Sequence, residues 1–246
     1  NAENAMVEKV KKTFPHVIVV MNVGGIVDTK WFRDCDEIQS VLMAWQGGME
    51  GGLATADILC GDVNPSGKLS DTYAKDLEDY PSTANFHESA FYVDYTEDIY
   101  VGYRYFETIP GAKEKVIYPF GYGLSYTDFR VHTDSVWETS KHIFAEVHVT
   151  NTGNMAGKEV VQLYVSDKTN AVMRPVNELK NFVKVELQPQ EEKTVTMELN
   201  KRSFAWYNTK VNDWYAGSGT YEILIGSSSR DIRLTKTVEL ESTMKI

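Results

Sequence analysis

The chain has only two cysteines in 246 residues, Cys35 and Cys60. That is too few for a disulfide scaffold or for a zinc site built on thiolates, and both read as buried free thiols. Long apolar runs are missing too. The longest, Val17–Met21, is a strand's length and far short of the ~20 residues a spanning helix needs, so no membrane partner is expected. Positive charge is in the minority, 25 Lys and Arg against 35 Asp and Glu, for a net charge of −10. With no basic cluster, neither nucleic acid nor an anionic membrane surface is an expected partner. No Asn-x-Ser/Thr sequon is open, since Asn64-Pro65-Ser66 carries the forbidding proline. No signal peptide is visible and the opening residues already read as a helix, so the chain is expected to be a piece of a longer polypeptide. Compartment stays open on these grounds, with the cytoplasm favoured.

What is present is ordinary globular composition, 42% apolar and 24% charged. At roughly 100–150 residues per domain this length suits two domains, and the hydrophobic period changes between them. In the first half Ala5, Met6, Val10 and Phe14 recur at helical steps up to Pro15. Val17–Met21 follows, apolar throughout, which suits a parallel strand covered by helices on both sides. Residues 40–45 read as a second buried strand, and the glycine-rich loop 46–52 leads into a helix through Leu53, Ala56 and Cys60 that Gly61 closes. The tetrapeptide Asn64-Pro65-Ser66-Gly67 reads as a turn. From about Ser125 the period becomes two: Ile143, Ala145, Val147 and Val149 alternate with polar neighbours, as do Val195, Met197 and Leu199, then Tyr221, Ile223 and Ile225, then Ile232 and Leu234. Turn signals separate these runs, the pattern of an antiparallel β-sandwich. The expected architecture is therefore a partial, mostly parallel α/β sandwich over 1–125, then an all-β sandwich over 126–246.

Local chemistry is sparse. None of the histidines 16, 87, 132, 142 and 148 pairs with another at helical ligand spacing; His142 and His148 merely share one strand's outer face, and no metal site is expected. Gly47–Gly52 lies where an α/β sheet would bind phosphate, but it lacks the Lys and the glycine order of phosphate loops. Glu50 there reads as a capping carboxylate, and no cofactor is expected. Residues 86–106 hold eight aromatics (Phe86, Phe91, Tyr92, Tyr95, Tyr100, Tyr103, Tyr105, Phe106), a density well above the chain-wide 12%. Aromatic rings serve cores as well as sugar faces, and packing is the plainer account. The acid pairs Glu97-Asp98 and Glu78-Asp79 and the cluster Asp34, Asp36 and Glu37 read as solvated charge rather than as the two facing carboxylates of glycoside hydrolysis.

Several longer motifs, taken in order, resemble one family. Val17–Gly25 with Trp31, Ala44-Trp45, Glu50-Gly51-Gly52 and the run 61–69 (GDVNPSGKL) resemble the second half of the α/β-sandwich domain of glycoside hydrolase family 3. Residues 99–106 (IYVGYRYF) and 118–126 (YPFGYGLSY) resemble that family's approach to its third domain. Asn151-Thr152-Gly153, residues 157–165, Arg174-Pro175, Glu178-Leu179-Lys180, Gly219-Thr220-Tyr221 and residues 228–234 resemble its fibronectin type III-like domain. One departure stands before Glu50, where Gly47-Gly48-Met49 replaces the family's frequent Pro-Gly-Gln and is expected to loosen the turn.

The resemblance implies a retaining β-glycosidase, most often a β-glucosidase, acting on terminal β-linked sugars. Its nucleophile would be an Asp on a (β/α)8 barrel, and its acid/base a Glu near a Gly-Glu-Gly-x-Asp-Arg-like stretch. Neither motif occurs here, and Asp213-Trp214 lies within the β-sandwich, so no catalytic residue is assigned to any position. The chain by itself is expected to be inactive, with the missing barrel as its partner and a β-glucoside or related saccharide as substrate of the whole enzyme. The alternative is a non-catalytic carbohydrate-binding or scaffolding module that reuses these domains.

Overall fold

The computed structural model describes residues 2–139, 142–241 and 244–245. The chain divides into two compact units, Asn1–Val63 with Lys75–Leu77, and Asn64–Ala74 with Glu78–Ile246. No helix among the described residues is long and apolar enough to cross a membrane.

The first unit is α/β. Helix α1 (Ala2–Thr13) precedes strand β1 (Ile18–Met21); the short helix α2 (Lys30–Arg33), strand β2 (Ser40–Met43) and helix α3 (Gly51–Cys60) follow. The two strands pair in parallel, Ile18 opposite Ser40 and Met21 opposite Met43. Val17, Phe32 and Ile38 form a small core with Val7, Val10, Val19, Met21 and Val41 against it. The helical stripe therefore runs through Val7 and Val10, whereas Met6 and Phe14 face outward. Although every residue of β1 is apolar, its exposure alternates, with Ile18 54% and Val20 41% exposed. The expected helix cover on both faces is met on one face only by this chain.

β2 stops two residues earlier than its apolar run because Trp45 takes a left-handed φ of 55°, which a bulky side chain rarely adopts. Gly61 closes α3 at φ 82°, as a C-terminal glycine should. Glu50 occupies the N-cap of α3, but its side chain makes no cap hydrogen bond, so the helix is opened by backbone geometry alone. The turn before it is close-packed at Gly47. A Cβ on Gly47 would meet the Gly51 Cα at 2.8 Å.

Both cysteines are free, as expected, but they are not buried. Cys60 is exposed on α3, none of whose residues is buried, and the half-buried Cys35 donates to Glu37 at 3.1 Å.

The second unit carries strands β3 (Tyr73–Ala74) and β4 (Val116–Tyr118), with helix α4 (Tyr103–Thr108) between them. The strands β5 (Phe129–Glu138), β6 (His142–Asn151), β7 (Gly157–Asp167), β8 (Glu178–Leu187), β9 (Glu192–Asn200), β10 (Trp206–Asn208), β11 (Asp213–Ala216), β12 (Gly219–Gly226), β13 (Ile232–Leu240) and β14 (Met244–Lys245) follow. A three-stranded sheet β5-β6-β9 and a four-stranded sheet β13-β12-β7-β8 enclose one core, with β10-β11-β14 as a smaller sheet. The residues expected to point inward do so. Ile143, Ala145, Val147 and Val149 alternate with half-exposed neighbours along β6, and Met197, Leu199, Tyr221, Ile223 and Ile225 join them.

β7 is buried on both faces, which its neighbours explain. Tyr164 meets Tyr103 of α4 edge-on, Tyr103 stacks on Phe120 at 4.7 Å, and the Tyr103 hydroxyl accepts the backbone N–H of Leu179 at 2.8 Å. Asn64 ties the turn 64–67 to this unit. Its side chain donates to the Ala156 carbonyl at 3.1 Å and accepts from the Ser125 hydroxyl and the Tyr126 N–H at 3.0 and 2.9 Å.

Candidate functional site

The second unit holds a small cleft of about 270 Å³, lined by Ser70, Asp71, Thr72, Val101, Gly102, Tyr103, Arg104 and Phe120. Its floor is rigid for local reasons. Leu69 bonds through its backbone to Tyr122 and Gly121, each at 2.8 Å, so the segment after Gly67-Lys68 is laced to the segment 118–126. Gly121 and Gly123 permit this approach: a Cβ on Gly121 would fall 2.5 Å from the Gln162 amide, and one on Gly123 2.3 Å from the Gly67 carbonyl oxygen. Tyr80 donates to the Thr72 carbonyl at 3.0 Å and accepts from the Ala74 N–H at 2.8 Å, fixing β3. On the other wall Gly102, at φ 58° and ψ −128°, lets the chain turn into α4 and sets Tyr103 and Arg104 side by side.

The lining offers one carboxylate, one guanidinium, two aromatic rings and the buried Thr72, whose hydroxyl has no hydrogen-bond partner among the described residues. Such a wall can orient a small polar ligand by hydrogen bonds and ring contact. Asp71 is the only acid in it, whereas retaining glycoside hydrolysis works with two facing carboxyls. Neither Asp71 nor Arg104 stands out in the sequence; a local signal exists only beside Arg104, where Gly102 takes a positive φ.

The residues weighed from the sequence go to different places. The aromatic stretch splits. Tyr103 and Phe106 are buried and Tyr105 packs beside Phe106, whereas Phe86, Phe91, Tyr92 and Tyr95 are exposed, Phe91 at 98% and Tyr95 at 92%. Packing therefore accounts for its C-terminal half and not for its N-terminal half. Four of the weighed acids have local partners: Asp34 in a two-point pair with Arg33, Glu37 accepting from Cys35, Asp79 paired with Lys115 at 3.1 Å, and Glu97 accepting from Ser82 at 3.4 Å. The hydrogen bonds from Arg33 hold Asp34 below the usual carboxylate range. Asp213-Trp214 lies on β11, where the Arg202 guanidinium sits 3.5 Å over the Trp214 ring. Of the histidines, His132 and His148 are brought together across two strands, which their separation in sequence does not disclose.

The motif Arg174-Pro175 with Glu178-Leu179-Lys180 builds a buried charge cluster rather than a site open to ligand. Arg174 reaches Asp167 at 3.2 Å, Glu178 at 2.5 Å and the Phe204 carbonyl at 2.9 Å, while Lys180 holds the other side of Glu178 at 2.8 Å. Burial opposes the charge on Glu178, but Lys180 and Arg174 outweigh it and keep the carboxyl below its ordinary range. Glu159 goes the other way: burial pushes it up, and Lys68 at 3.4 Å only partly offsets this.

Comparison with known proteins gives the arrangement its context. Residues 1–126 match the model of the glycosyl hydrolase family 3 C-terminal domain, and residues 159–229 that of a fibronectin type III-like domain. The chain is 55% identical, over 95% of its length, to 31% of a beta-glucosidase A of Butyrivibrio fibrisolvens. It is 40% identical, over 98% of its length, to 31% of an exo-alpha-(1->6)-L-arabinopyranosidase of Bifidobacterium breve. A crystal structure of a beta-glucosidase from Kluyveromyces marxianus in complex with glucose superposes on all of the chain and on 29% of that protein, with a TM-score of 0.92 at 40% identity. The chain thus spans about a third of the length of the relatives it matches.

Proposed function

This chain belongs to glycoside hydrolase family 3, and from that membership we propose that it is the non-barrel portion of a retaining β-glycosidase, with β-glucosides as the favoured substrates. The nucleophile and the acid/base lie outside it. In the whole enzyme an Asp would attack the anomeric carbon to form a glycosyl-enzyme while a Glu protonates the leaving oxygen, and the same Glu would then activate water. The role of this chain is to complete the sandwich domain that presents the acid/base and to brace it against the barrel. We also propose a boundary between the sandwich domain and the fibronectin type III-like domain near 125/126, which the family match over residues 1–126 supports.

The observation that carries this reading is the uncovered apolar surface of the first unit. Ile18 and Val20 on β1, Met6 and Phe14 at α1, and Leu53 and Leu59 on α3 are exposed, which a parallel strand and its helices do not tolerate in a finished domain. The coverage of about a third of each relative supports the same view. The relative that acts on an arabinopyranoside keeps the sugar itself an open choice among pyranosides, and β-glucose is preferred because the beta-glucosidase relative has the higher identity.

The test is direct. The purified 246-residue chain should leave p-nitrophenyl β-glucoside intact, since general acid/base catalysis alone is worth roughly 10²–10⁴-fold and the nucleophile is missing as well. Turnover at enzyme-like rates by the chain alone overturns the proposal. A second reading, a carbohydrate-binding module, is favoured by the exposed Phe91 and Tyr95. Saturable binding of cellobiose by the lone chain, lost in Phe91→Ala, selects that reading instead.

A further inference from the structure

His132 and His148 stand directly opposite each other on the antiparallel strands β5 and β6. Their neighbours Val131 and Val149 form the next opposed pair and point into the core, so both imidazoles lie on the outer face of the three-stranded sheet. The rings stack at 5.0 Å with 20° between their planes. On the other side of β6, Thr194 of β9 is opposite His148, and Glu192, two residues on, lies diagonally across the same face. One ring nitrogen from each histidine and one carboxylate oxygen of Glu192 fall within 4.8 Å of one another.

Further features shape this group. Thr150 donates to one oxygen of Glu192 at 2.6 Å, and the other oxygen lies 3.8 Å from Nδ1 of His148. That is how an outer hydroxyl orients a ligating carboxylate. Nδ1 of His132 is buried and has no hydrogen-bond partner among the described residues. The register of β5 shifts between His132 and Ser135, and an irregularity of this kind re-aims the side chains beside it. Glu146 stands 3.6 Å from Nε2 of His148 and adds negative charge from the same strand, while the charge of Arg130 is felt at Glu192 and opposes an ion.

We propose that His132, His148 and Glu192 form a binding site for a first-row divalent transition metal, Zn²⁺ in the first instance. Two imidazoles and a carboxylate are a donor set that such ions take, and three protein ligands leave a fourth position to water. Zinc–ligand bonds of about 2.0–2.2 Å place tetrahedral ligand atoms roughly 3.3 Å apart, so the group must contract by at most about 1.5 Å. Rotation of the exposed Glu192 side chain, which Thr150 would have to follow, supplies part of that, and the two imidazoles closing on the ion supply the rest. The ion would cross-link β5, β6 and β9, and because only the folded sheet assembles the three ligands, it would stabilise the folded chain.

Calorimetric titration of the intact chain with ZnCl₂ at pH 7.5 should show one saturable site, and free Zn²⁺ at 100 times its Kd should shift the folding equilibrium about 100-fold. His132→Ala and His148→Ala should weaken binding at least 10-fold, while His142→Ala, on the same outer face of β6, should not change it. His148→Gln serves if the alanine variant fails to fold. In the wild-type chain, Zn²⁺ should shift the NMR ring signals of His132 and His148 and leave those of His16 and His87 in place. Absence of a saturable site, equal affinity in the His148 and His142 variants, or shifts confined to other histidines overturns the assignment.

Discussion

Arg174→Met removes the guanidinium from the buried cluster of the second unit, whose Arg174 and Asp167 side chains are 7% and 4% exposed. Four acceptors lose a donor: Asp167 at 3.2 Å, Glu178 at 2.7 Å, and the carbonyls of Phe204 and Ala205 at 2.9 and 3.4 Å. Breaking a buried pair by removing one partner costs about 3–5 kcal/mol. Each acid keeps one partner here, Asp167 the N–H of Thr169 and Glu178 the ammonium of Lys180, which places the loss near the lower end, about 3 kcal/mol. With a urea m-value of about 2–3 kcal/mol/M, the midpoint should fall by about 1–1.5 M at pH 7. The loss must also depend on pH. Glu178 is held below its ordinary value of 4.5, so the stability it contributes is complete above 4.5 and disappears as pH falls through the lower folded value. The gap between wild type and variant should therefore narrow below about pH 4. Urea titrations followed by intrinsic fluorescence at pH 7 and pH 3.5 measure both effects. A loss under 1 kcal/mol, or one of equal size at the two pH values, would refute the argument that charge in this cluster holds β7 to β8.

Phe106→Ala should cost about 3–5 kcal/mol, since Phe106 is 1% exposed and packs among Ala74, Ala112 and the edge of Tyr80, whereas Phe91→Ala should stay within about 0.5 kcal/mol; thermal melts compare them. Gly123→Ala should destabilise by about 1–3 kcal/mol, because its Cβ would sit 2.3 Å from the Gly67 carbonyl oxygen; an unchanged melting temperature would show that the turn gives way instead. Glu159 reverses the sign seen at Glu178. Its folded pKa lies above 4.5, so its charge costs stability at neutral pH and the cost fades as pH falls through the folded value towards 4.5. Glu159→Gln should accordingly flatten that part of the pH–stability curve.

Local pattern was enough to read much of this molecule. The two-residue period of Ile143–Val149 and Tyr221–Ile225 fixed which face of each strand is buried, because a one-residue slip would expose the whole set. Gly61 marked the end of α3 because only glycine takes φ 82° there without strain. The order of the longer motifs named the family and both domain types before any coordinate was needed. Tertiary structure alone decided what depends on chain segments far apart in sequence. Asn64 reads as a turn residue until its amide is seen to reach Ala156 and Ser125, and the aromatic stretch reads as one unit until α4 buries half of it. Cys60 and Ile18 read as buried because their neighbours are apolar, yet burial needs a covering layer that sequence pattern cannot show to be present in the same chain. His132 and His148 meet for a similar reason: strand periodicity sets the face a side chain occupies, but only antiparallel pairing, with its register shift, sets which residue stands opposite.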